Sequence, residues 1–429
     1  MAGTINPYRG KKDEWLITVE AGKNPGTGKR QRIKRVFNGG IRAAEKELKK
    51  LEQEVEDGIY IDTQNITLGE YLRNWLDDYG SLRLAPTTLR RYRQIITGRV
   101  IPKMGAIPLA KLSPVHLQRF YREIIEEGQL PNKMKIKKEA RKENQENKPI
   151  SHATIVYHHR VIHKALDTAL KQQLILTNPA DAVEIPKPPA EIIDSIDDDC
   201  DLNETVKVLS SAEVTAMLEA AKNTPDNKVN PHGKIIPKTR VKNNDYYPIL
   251  FTAIRTGLRR GELLGLKWSD VSFREKTLKV VRALAYVPEK GIFFKVPKTK
   301  ESRRKIDISD EVVNVLKEHR KDQAAAKLFW GEKYSKDDLI FCQDDGKPMH
   351  PDTISGWFPE YLEQIGLPRL NFHCLRHTHA SLMLHAGVDA HRVSKRLGHS
   401  SIRITLDIYG HLMPGQGADA VEKFESLFR

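Results

Sequence analysis

A change in composition near residue 190 limits how this chain can fold. The segment Pro186-Lys187-Pro188-Pro189 stiffens the backbone, and an acidic run at 194–204 follows it. Such a segment is typical of a linker between folded units. The length of 429 residues also exceeds what one compact domain holds, since about 100–200 residues per domain is usual. We therefore predict a linker at 188–205 with separate domains on either side.

The charge balance indicates a polyanionic partner. Lys and Arg number 71 against 56 Asp and Glu, which gives a formal net charge of +15. Neutralised phosphates release counterions, so a basic surface favours nucleic acid. An anionic membrane and plainly solvated lysines remain alternatives on charge alone. No run approaches the ~20 apolar residues that a membrane span needs, and the first residues lack an apolar signal segment, so we expect a cytoplasmic protein.

Residues 1–60 are predicted to form a hairpin followed by a helix. Strand-like runs at 15–19 and 32–37 flank a turn-rich stretch. After two glycines, apolar residues repeat at helical spacing and form a stripe that we expect to lie on the small sheet. The members of that stripe are Ala44, Leu48, Leu51 and Val55.

The same hairpin carries a run of basic residues without an acidic one. One interpretation is a solvated edge whose charge prevents aggregation. The other is a β-ribbon that binds a DNA groove or backbone, and composition leaves both open. The six candidate DNA-binding residues are Lys23, Lys29, Arg30, Arg32, Lys34 and Arg35.

Residues 65–187 have the pattern of a small helical domain. Thr67 followed by Glu70 is a capping-box signature, and Ser113-Pro114 places an N-cap before a proline at the first helical position. Another helix is predicted from about Ser151. We expect four or five helices here, with a mobile surface insertion at 131–148 that is dense in Lys, Glu and Asn.

Residues 206–429 are predicted to form a second, larger domain. Helix signals dominate, and three runs at 277–281, 292–296 and 304–308 predict one small antiparallel sheet. A polar insertion occupies 223–245. The whole chain is therefore predicted to be mainly α with small β-sheets, in the α+β class, and to have three domains.

Two short segments of sequence in this last region, here called islands, contain side chains suited to phosphate chemistry. Arg259 follows a predicted helix end at Gly257, where its guanidinium could bind two phosphate oxygens or simply pair with Glu262. Lys298 lies in a basic loop and could donate a proton if neighbouring cations lower its pKa. Most such lysines are only solvated.

Two further islands lie nearer the end of the chain. His373 and Arg376 stand three apart on one helical face, and His377 invites a zinc interpretation with His373. Against zinc, the glutamate of a metalloprotease site is absent and Arg376 would repel a metal. His399 and Tyr409 follow in a polar stretch, where Tyr409 could be a nucleophile or an ordinary core or surface tyrosine.

Taken in order, the four islands closely resemble the signature of the tyrosine recombinases, the phage-type integrases. The strings T-G-L-R-R-G-E, P-K-T-K, H-x-L-R-H-T-H-A and L-G-H-S-S-I-x-x-T-L-x-x-Y-x-H match it nearly word for word. The layout is similar to that of conjugative-transposon and Gram-positive phage integrases: an arm-type DNA-binding domain at 1–60, a core-binding domain at 65–187 and a catalytic domain at 206–429. The departures are Cys374, where Asp is common, and the two insertions.

The resemblance implies that Tyr409 attacks a DNA phosphodiester, forms a 3′-phosphotyrosyl bond and frees a 5′-hydroxyl, as in type IB topoisomerases. Two arginines would stabilise the transition-state charge, Lys298 would protonate the leaving oxygen, His373 would assist proton movement at Tyr409, and His399 would bind the phosphate. Neither metal, ATP nor another cofactor is implied. The implied catalytic residues are Arg259, Lys298, His373, Arg376, His399 and Tyr409.

The implied partners are double-stranded DNA with attachment sites and a homotetramer on two such sites. An excisionase or other directionality factor and a host DNA-bending protein are further candidate partners. The implied location of the protein is the cytoplasm of a bacterial host, in association with the nucleoid. The apolar stripe near the end of the chain either folds onto its own core or docks on a neighbouring protomer. Its members are Ala418, Val421, Phe424, Leu427 and Phe428.

Two rival functions stay open at the level of sequence. The first is a DNA-binding regulator of integrase descent that no longer cuts DNA. The presence of all the reactive side chains argues against it. The second is a metal-dependent nuclease or RNA-processing enzyme that uses the histidines around His373. Against it, the chain lacks the clustered carboxylates of a two-metal site. The three scattered cysteines, Cys200, Cys342 and Cys374, also disfavour a disulfide framework or a zinc knuckle.

Overall fold

The chain divides into two compact units, Met1–Asp199 and Cys200–Arg429, in a computed structural model. The structure describes residues 3–8, 13–23, 30–56, 66–128, 149–186, 207–222, 243–296, 302–410 and 425–428. The insertion at 131–148, the linker at 188–205, most of the insertion at 223–245 and most of the C-terminal apolar stripe lie outside these ranges. The domain bounds stay predictions. Among the described helices, none has the length and apolar character to cross a membrane.

A three-stranded sheet backed by one helix begins the first unit, as the hairpin and helix predicted. The prediction did not include the first strand, whose sequence Gly-Thr-Ile-Asn-Pro carries one large apolar residue and a proline. It pairs with the second strand and adds a third, edge strand to the predicted hairpin. The core contains Ile17, Val19, Ile33 and Leu51. The elements are β1 (Gly3–Pro7), β2 (Glu14–Lys23), β3 (Arg30–Asn38) and α1 (Ile41–Glu56).

The rest of the first unit is helical. The predicted capping box is present, because the hydroxyl of Thr67 accepts from the Glu70 backbone N–H and the Glu70 carboxylate accepts from the Thr67 backbone N–H. π-helical turns at Leu76–Gly80 and Ile96–Val100 join successive helices. The helices are α2 (Leu68–Trp75), α3 (Ser81–Arg83), α4 (Pro86–Ile95), α5 (Ile101–Met104), α6 (Pro114–Glu127) and α7 (His152–Lys171).

The second unit is mainly helical with small antiparallel sheets, which confirms the predicted fold class. Its main core includes Leu250, Phe341 and Phe358. The helices are α8 (Ser211–Lys222), α9 (Asn243–Thr256), α10 (Arg260–Leu264), α11 (Asp310–Trp330), α12 (Pro351–Gln364), α13 (Cys374–His385), α14 (Ala390–Leu397) and α15 (Ile402–Tyr409).

The prediction of one sheet from three runs was wrong. The described strands form two sheets, because the run at 292–296 pairs with a strand at 283–287 that the sequence pattern did not reveal. The turn between them closes with Gly291 at a φ of 72°, a conformation that suits glycine. The strands are β4 (Val271–Ser272), β5 (Thr277–Val280), β6 (Ala283–Val287), β7 (Gly291–Lys295) and β8 (Arg304–Asp307).

Candidate active site

The junction between α9 and α10 positions the first arginine. α9 ends at Thr256, and Gly257 follows at a φ of 65°. A Cβ at Gly257 would lie 2.5 Å from Cδ2 of His379, so only glycine fits this turn. Arg259 then takes the N-cap position of α10 with an extended backbone, and its side chain keeps 40% exposure. The turn therefore presents a guanidinium at the surface from a rigid base.

A buried carboxylate holds this arginine in place. Glu262 accepts hydrogen bonds from the backbone N–H and from Nη1 of Arg259, at 3.1 and 3.0 Å. It also accepts from Nη1 and Nη2 of Arg304 in β8, at 3.3 and 3.1 Å. Burial alone raises the pKa of Glu262, but the charges of Arg304, Arg259 and Arg376 outweigh it, so the net shift is downward. Glu262 is thus an ionised anchor for Arg259.

Arg376 lies deeper in the same site, on α13, and is 3% exposed. Its Nη1 donates to the carbonyl of Gly257 and its Nη2 to the carbonyl of Leu397, both at 2.8 Å. Burial and then the nearby charge of Arg259 lower the pKa of Arg376 from its ordinary value. The guanidinium stays charged at neutral pH because the ordinary pKa of arginine is so high. The two carbonyls fix the plane of the guanidinium.

The C-terminal end of α14 binds three guanidinium groups through consecutive carbonyls. Nε of Arg304 donates to Arg396 O at 2.6 Å, and Nη2 of Arg376 donates to Leu397 O. Nη2 of Arg259 lies 3.5 Å from Gly398 O. The last carbonyls of a helix lack partners within it and carry partial negative charge, so they suit cations. One helix end thereby gathers arginines from α10, β8 and α13.

Two of the predicted histidines face these arginines and are neutral near pH 7. Burial, with the charges of Arg376 and Arg259, lowers the pKa of His373 to about 4. Burial and the same two charges lower the pKa of His399 to about 3. Nδ1 of His399 lies 2.8 Å from Oγ1 of Thr405. When that hydroxyl donates to Nδ1, Nε2 carries the ring proton and can donate to a ligand.

Tyr409, the last residue of α15, is 1% exposed. Its ring packs in a small apolar cluster with Leu384, Val393 and Leu397 from α13 and α14. Nδ1 of His377 lies 2.5 Å from the Tyr409 hydroxyl oxygen. The resemblance implied that His373 assists at Tyr409, whereas His377 makes this contact. The His373 ring packs edge-on against His377, with the ring centroids 4.7 Å apart.

The structure thus brings five of the predicted catalytic residues to one site, and Lys298 lies outside the described residues. Two side chains of the site were missed. Arg304 was one of several basic residues in its loop, yet it stands two before the buried Ile306 and shares that face of β8. His377 was considered only as a zinc ligand. The five residues are Arg259, His373, Arg376, His399 and Tyr409.

The six basic residues of the hairpin belong to the other unit and do not all share one face. Lys34 and Arg32 lie exposed opposite Thr18 and Glu20 of β2, on the outer face of the sheet. Arg35 lies on the face toward α1 and pairs with Glu47 at 2.6 Å. Lys29 lies outside the described residues, and for Lys23 and Arg30 only the backbone is described. Their DNA-binding role stays a prediction.

A metal site is not formed by the side chains in the described ranges. No group of three or more His, Cys, Asp or Glu side chains there is placed to hold an ion. His373 and His377, which prompted the zinc interpretation, face Arg376 and Tyr409 instead.

Comparison with known proteins identifies the same region. Residues 207–415 match the phage integrase family, and residues 67–125 match the N-terminal SAM-like domain of phage integrases. A XerC-like tyrosine recombinase of Caldanaerobacter subterraneus subsp. tengcongensis is 27% identical over 444 aligned positions, which cover 100% of both chains. The transposase of Tn916 from Enterococcus faecalis is 27% identical over 180 residues, 41% of this chain and 43% of the transposase.

Among solved structures, the Tn1549 transposon integrase in complex with a circular intermediate DNA has a similar fold. The TM-score is 0.62 at 20% sequence identity, over 85% of this chain and 100% of that one. The λ integrase dimer bound to a core site aligns with a TM-score of 0.50 at 17% identity, over 96% of this chain and 95% of that one.

Proposed function

The chain belongs to the phage integrase family and is a site-specific tyrosine recombinase, and we propose that it cuts and rejoins double-stranded DNA through a covalent bond to Tyr409. Arg376 lies close enough to both Arg259 and Tyr409 for their charges to act on it, and this grouping at the end of α14 supports the proposal. A buried phenol beside two fixed guanidinium groups is the arrangement that nucleophilic attack on a phosphodiester requires.

In the proposed reaction the Tyr409 oxygen bonds to phosphorus and the bond from phosphorus to the 5′-oxygen breaks. The pentacoordinate transition state gains charge on its non-bridging oxygens. Arg259 and Arg376 stabilise that charge, because guanidinium groups held by other contacts need no rearrangement during reaction. His399 donates from Nε2 to the phosphate, and Lys298 supplies the proton that the 5′-oxygen takes up.

This chemistry uses only side chains of the chain and the DNA. The phosphotyrosyl bond conserves the energy of the broken phosphodiester, so a 5′-hydroxyl of a partner strand can reseal it. We propose that a homotetramer holds two attachment sites for this exchange, and that the outer face of the N-terminal sheet binds separate arm sites. A directionality factor and a DNA-bending protein would select integration or excision of the mobile element.

The test is covalent trapping on attachment-site DNA that is nicked beside the scissile phosphate, in EDTA. Attachment sites are identified from the direct repeats that flank the element. The expected result is a covalent complex for the native protein and for Tyr286→Phe, a matched tyrosine in β6, and none for Tyr409→Phe. Cleavage that EDTA abolishes and Tyr409→Phe retains would exclude the mechanism. Binding without any covalent complex in the native protein would favour the non-cutting regulator.

A further inference from the structure

One imidazole contacts the nucleophilic oxygen, and it belongs to none of the six residues with a role above. His377 Nδ1 lies 2.5 Å from the Tyr409 hydroxyl oxygen. The ring centroids are 5.7 Å apart with 51° between the planes, so the two side chains meet through their polar atoms and do not stack. We propose that His377 is a catalytic residue that takes the Tyr409 proton during cleavage and returns it during rejoining. This inference rests on the proposed function of Tyr409.

The helix geometry explains how one turn of α13 serves both the phosphate and the nucleophile. Arg376 and His377 are consecutive, so their side chains leave the helix about 100° apart. Arg376 reaches the carbonyls of Gly257 and Leu397, while His377 reaches the last residue of α15. The apolar cluster around the Tyr409 ring then fixes the hydroxyl against Nδ1.

The surroundings keep the His377 ring neutral near pH 7. Burial, then His373 and Arg376, lower the pKa of His377 to about 3, so the ring is neutral at pH 7. A neutral imidazole with its hydrogen on Nε2 has a free lone pair on Nδ1. The ionisable groups that face it are His373 at the N-cap of α13, Arg376 within α13, His399 after α14, and Tyr409 of α15.

The proton balance is complete in both directions. In cleavage the oxygen–phosphorus bond to Tyr409 forms, the bond to the 5′-oxygen breaks, and the phenol proton moves to His377 Nδ1. A separate proton reaches the 5′-oxygen from Lys298. In rejoining, a 5′-hydroxyl attacks phosphorus and its proton passes back to Lys298. The bond from phosphorus to Tyr409 breaks, and Tyr409 leaves as a neutral phenol by recovering the proton from the His377 imidazolium. The His373 ring packs edge-on against His377.

The experiment tests the transfer of the Tyr409 proton alone, on a DNA substrate whose leaving group needs no proton from Lys298. Attachment-site DNA with sulfur in place of the bridging 5′-oxygen has a leaving group that departs without protonation, because a thiol is far more acidic than an alcohol. The rate of covalent trapping is measured on this DNA from about pH 6.5 to about pH 9.5, a range that approaches the phenol pKa of about 10.

We expect native protein to react at a rate that hardly changes with pH. His377→Ala should be at least about 10²-fold slower near neutral pH, which is the usual contribution of a general base. Its rate should rise about tenfold for each pH unit as the phenol ionises unaided. His377→Asn, which keeps a hydrogen-bonding group but no base, should behave like His377→Ala. His385→Ala, an exposed histidine at the end of the same helix, should match native protein.

Three outcomes would overturn the inference. The first is a native-like rate in His377→Ala. The second is a slow rate in His377→Ala that does not rise with pH, and the third is a native-like rate in His377→Asn. Either of these last two results would mean that His377 only positions Tyr409. In all three cases Tyr409→Phe still forms no complex if the proposed function is correct. Trapping of Tyr409→Phe would instead remove the proposed function and the inference together.

Discussion

The N-terminal sheet and the second unit, Cys200–Arg429, here called the catalytic unit, use arginine in opposite ways. On the sheet, Arg32 pairs with Glu20 across β2 and β3, and the two side chains are 59% and 50% exposed. In the catalytic unit, Arg304 pairs with Glu262 and the two side chains are 6% and 5% exposed. Both pairs have a nitrogen–oxygen separation close to 3 Å, so distance does not distinguish them.

The difference lies in what each pair does. An exposed pair gains little, because water and salt screen its charges, and its arginine remains available to a phosphate. A buried pair cannot lose one partner without leaving an uncompensated charge. The sheet therefore keeps Arg32 exposed to solvent, whereas the catalytic unit uses Arg304 and Glu262 to position Arg259. Substitutions should separate the two regions by size of effect.

The largest effect is expected from Glu262→Gln. The amide has nearly the same shape but leaves Arg304 and Arg259 facing a neutral group, so the free energy of unfolding should fall by about 3–5 kcal/mol. Strand cleavage should fall too, because Arg259 loses its anchor. The control is Glu20→Gln on the sheet, which should cost less than about 1 kcal/mol. Denaturant unfolding measures both, and equal losses would contradict the comparison.

A smaller effect is expected from acid. The pKa of Glu262 is lowered in the folded protein, so its stabilisation is fully present above the ordinary carboxyl pKa, about 4.3. That contribution is lost as pH falls through the lower folded value. The stability difference between native protein and Glu262→Gln should therefore shrink below about pH 4. A difference that stays constant down to the acid transition would show that Glu262 is not ionised.

The smallest effect is expected on the sheet and concerns DNA affinity. Lys34→Gln should lower the slope of log affinity against log salt by about one if Lys34 contacts a phosphate. Arg35→Gln should change that slope less, because Arg35 faces α1 and pairs with Glu47. Filter binding of arm-site DNA over a range of salt measures both. Equal changes would mean that the face of the sheet does not decide which charges bind.

Local patterns predicted most of the elements. The capping box at Thr67, the proline after Ser113 and the apolar stripe of α1 each depend on residues within a few positions, and each is present. The prediction was wrong for the small sheets of the catalytic unit. Strand pairing depends on partners distant in sequence, and the pairing of β7 with β6 leaves no mark in the composition of either strand.

The sequence by itself determined the fold class, and its resemblance to the phage integrases determined the set of candidate catalytic residues through their types and order. Only the tertiary structure decided how these residues are held. Arg304 became the partner of Glu262, and His377 came to face Tyr409, through contacts between residues 42 and 32 positions apart. Burial and neighbouring charges together set the charge of Glu262 and His377, and both arise only when the helix ends of α9, α13, α14 and α15 meet.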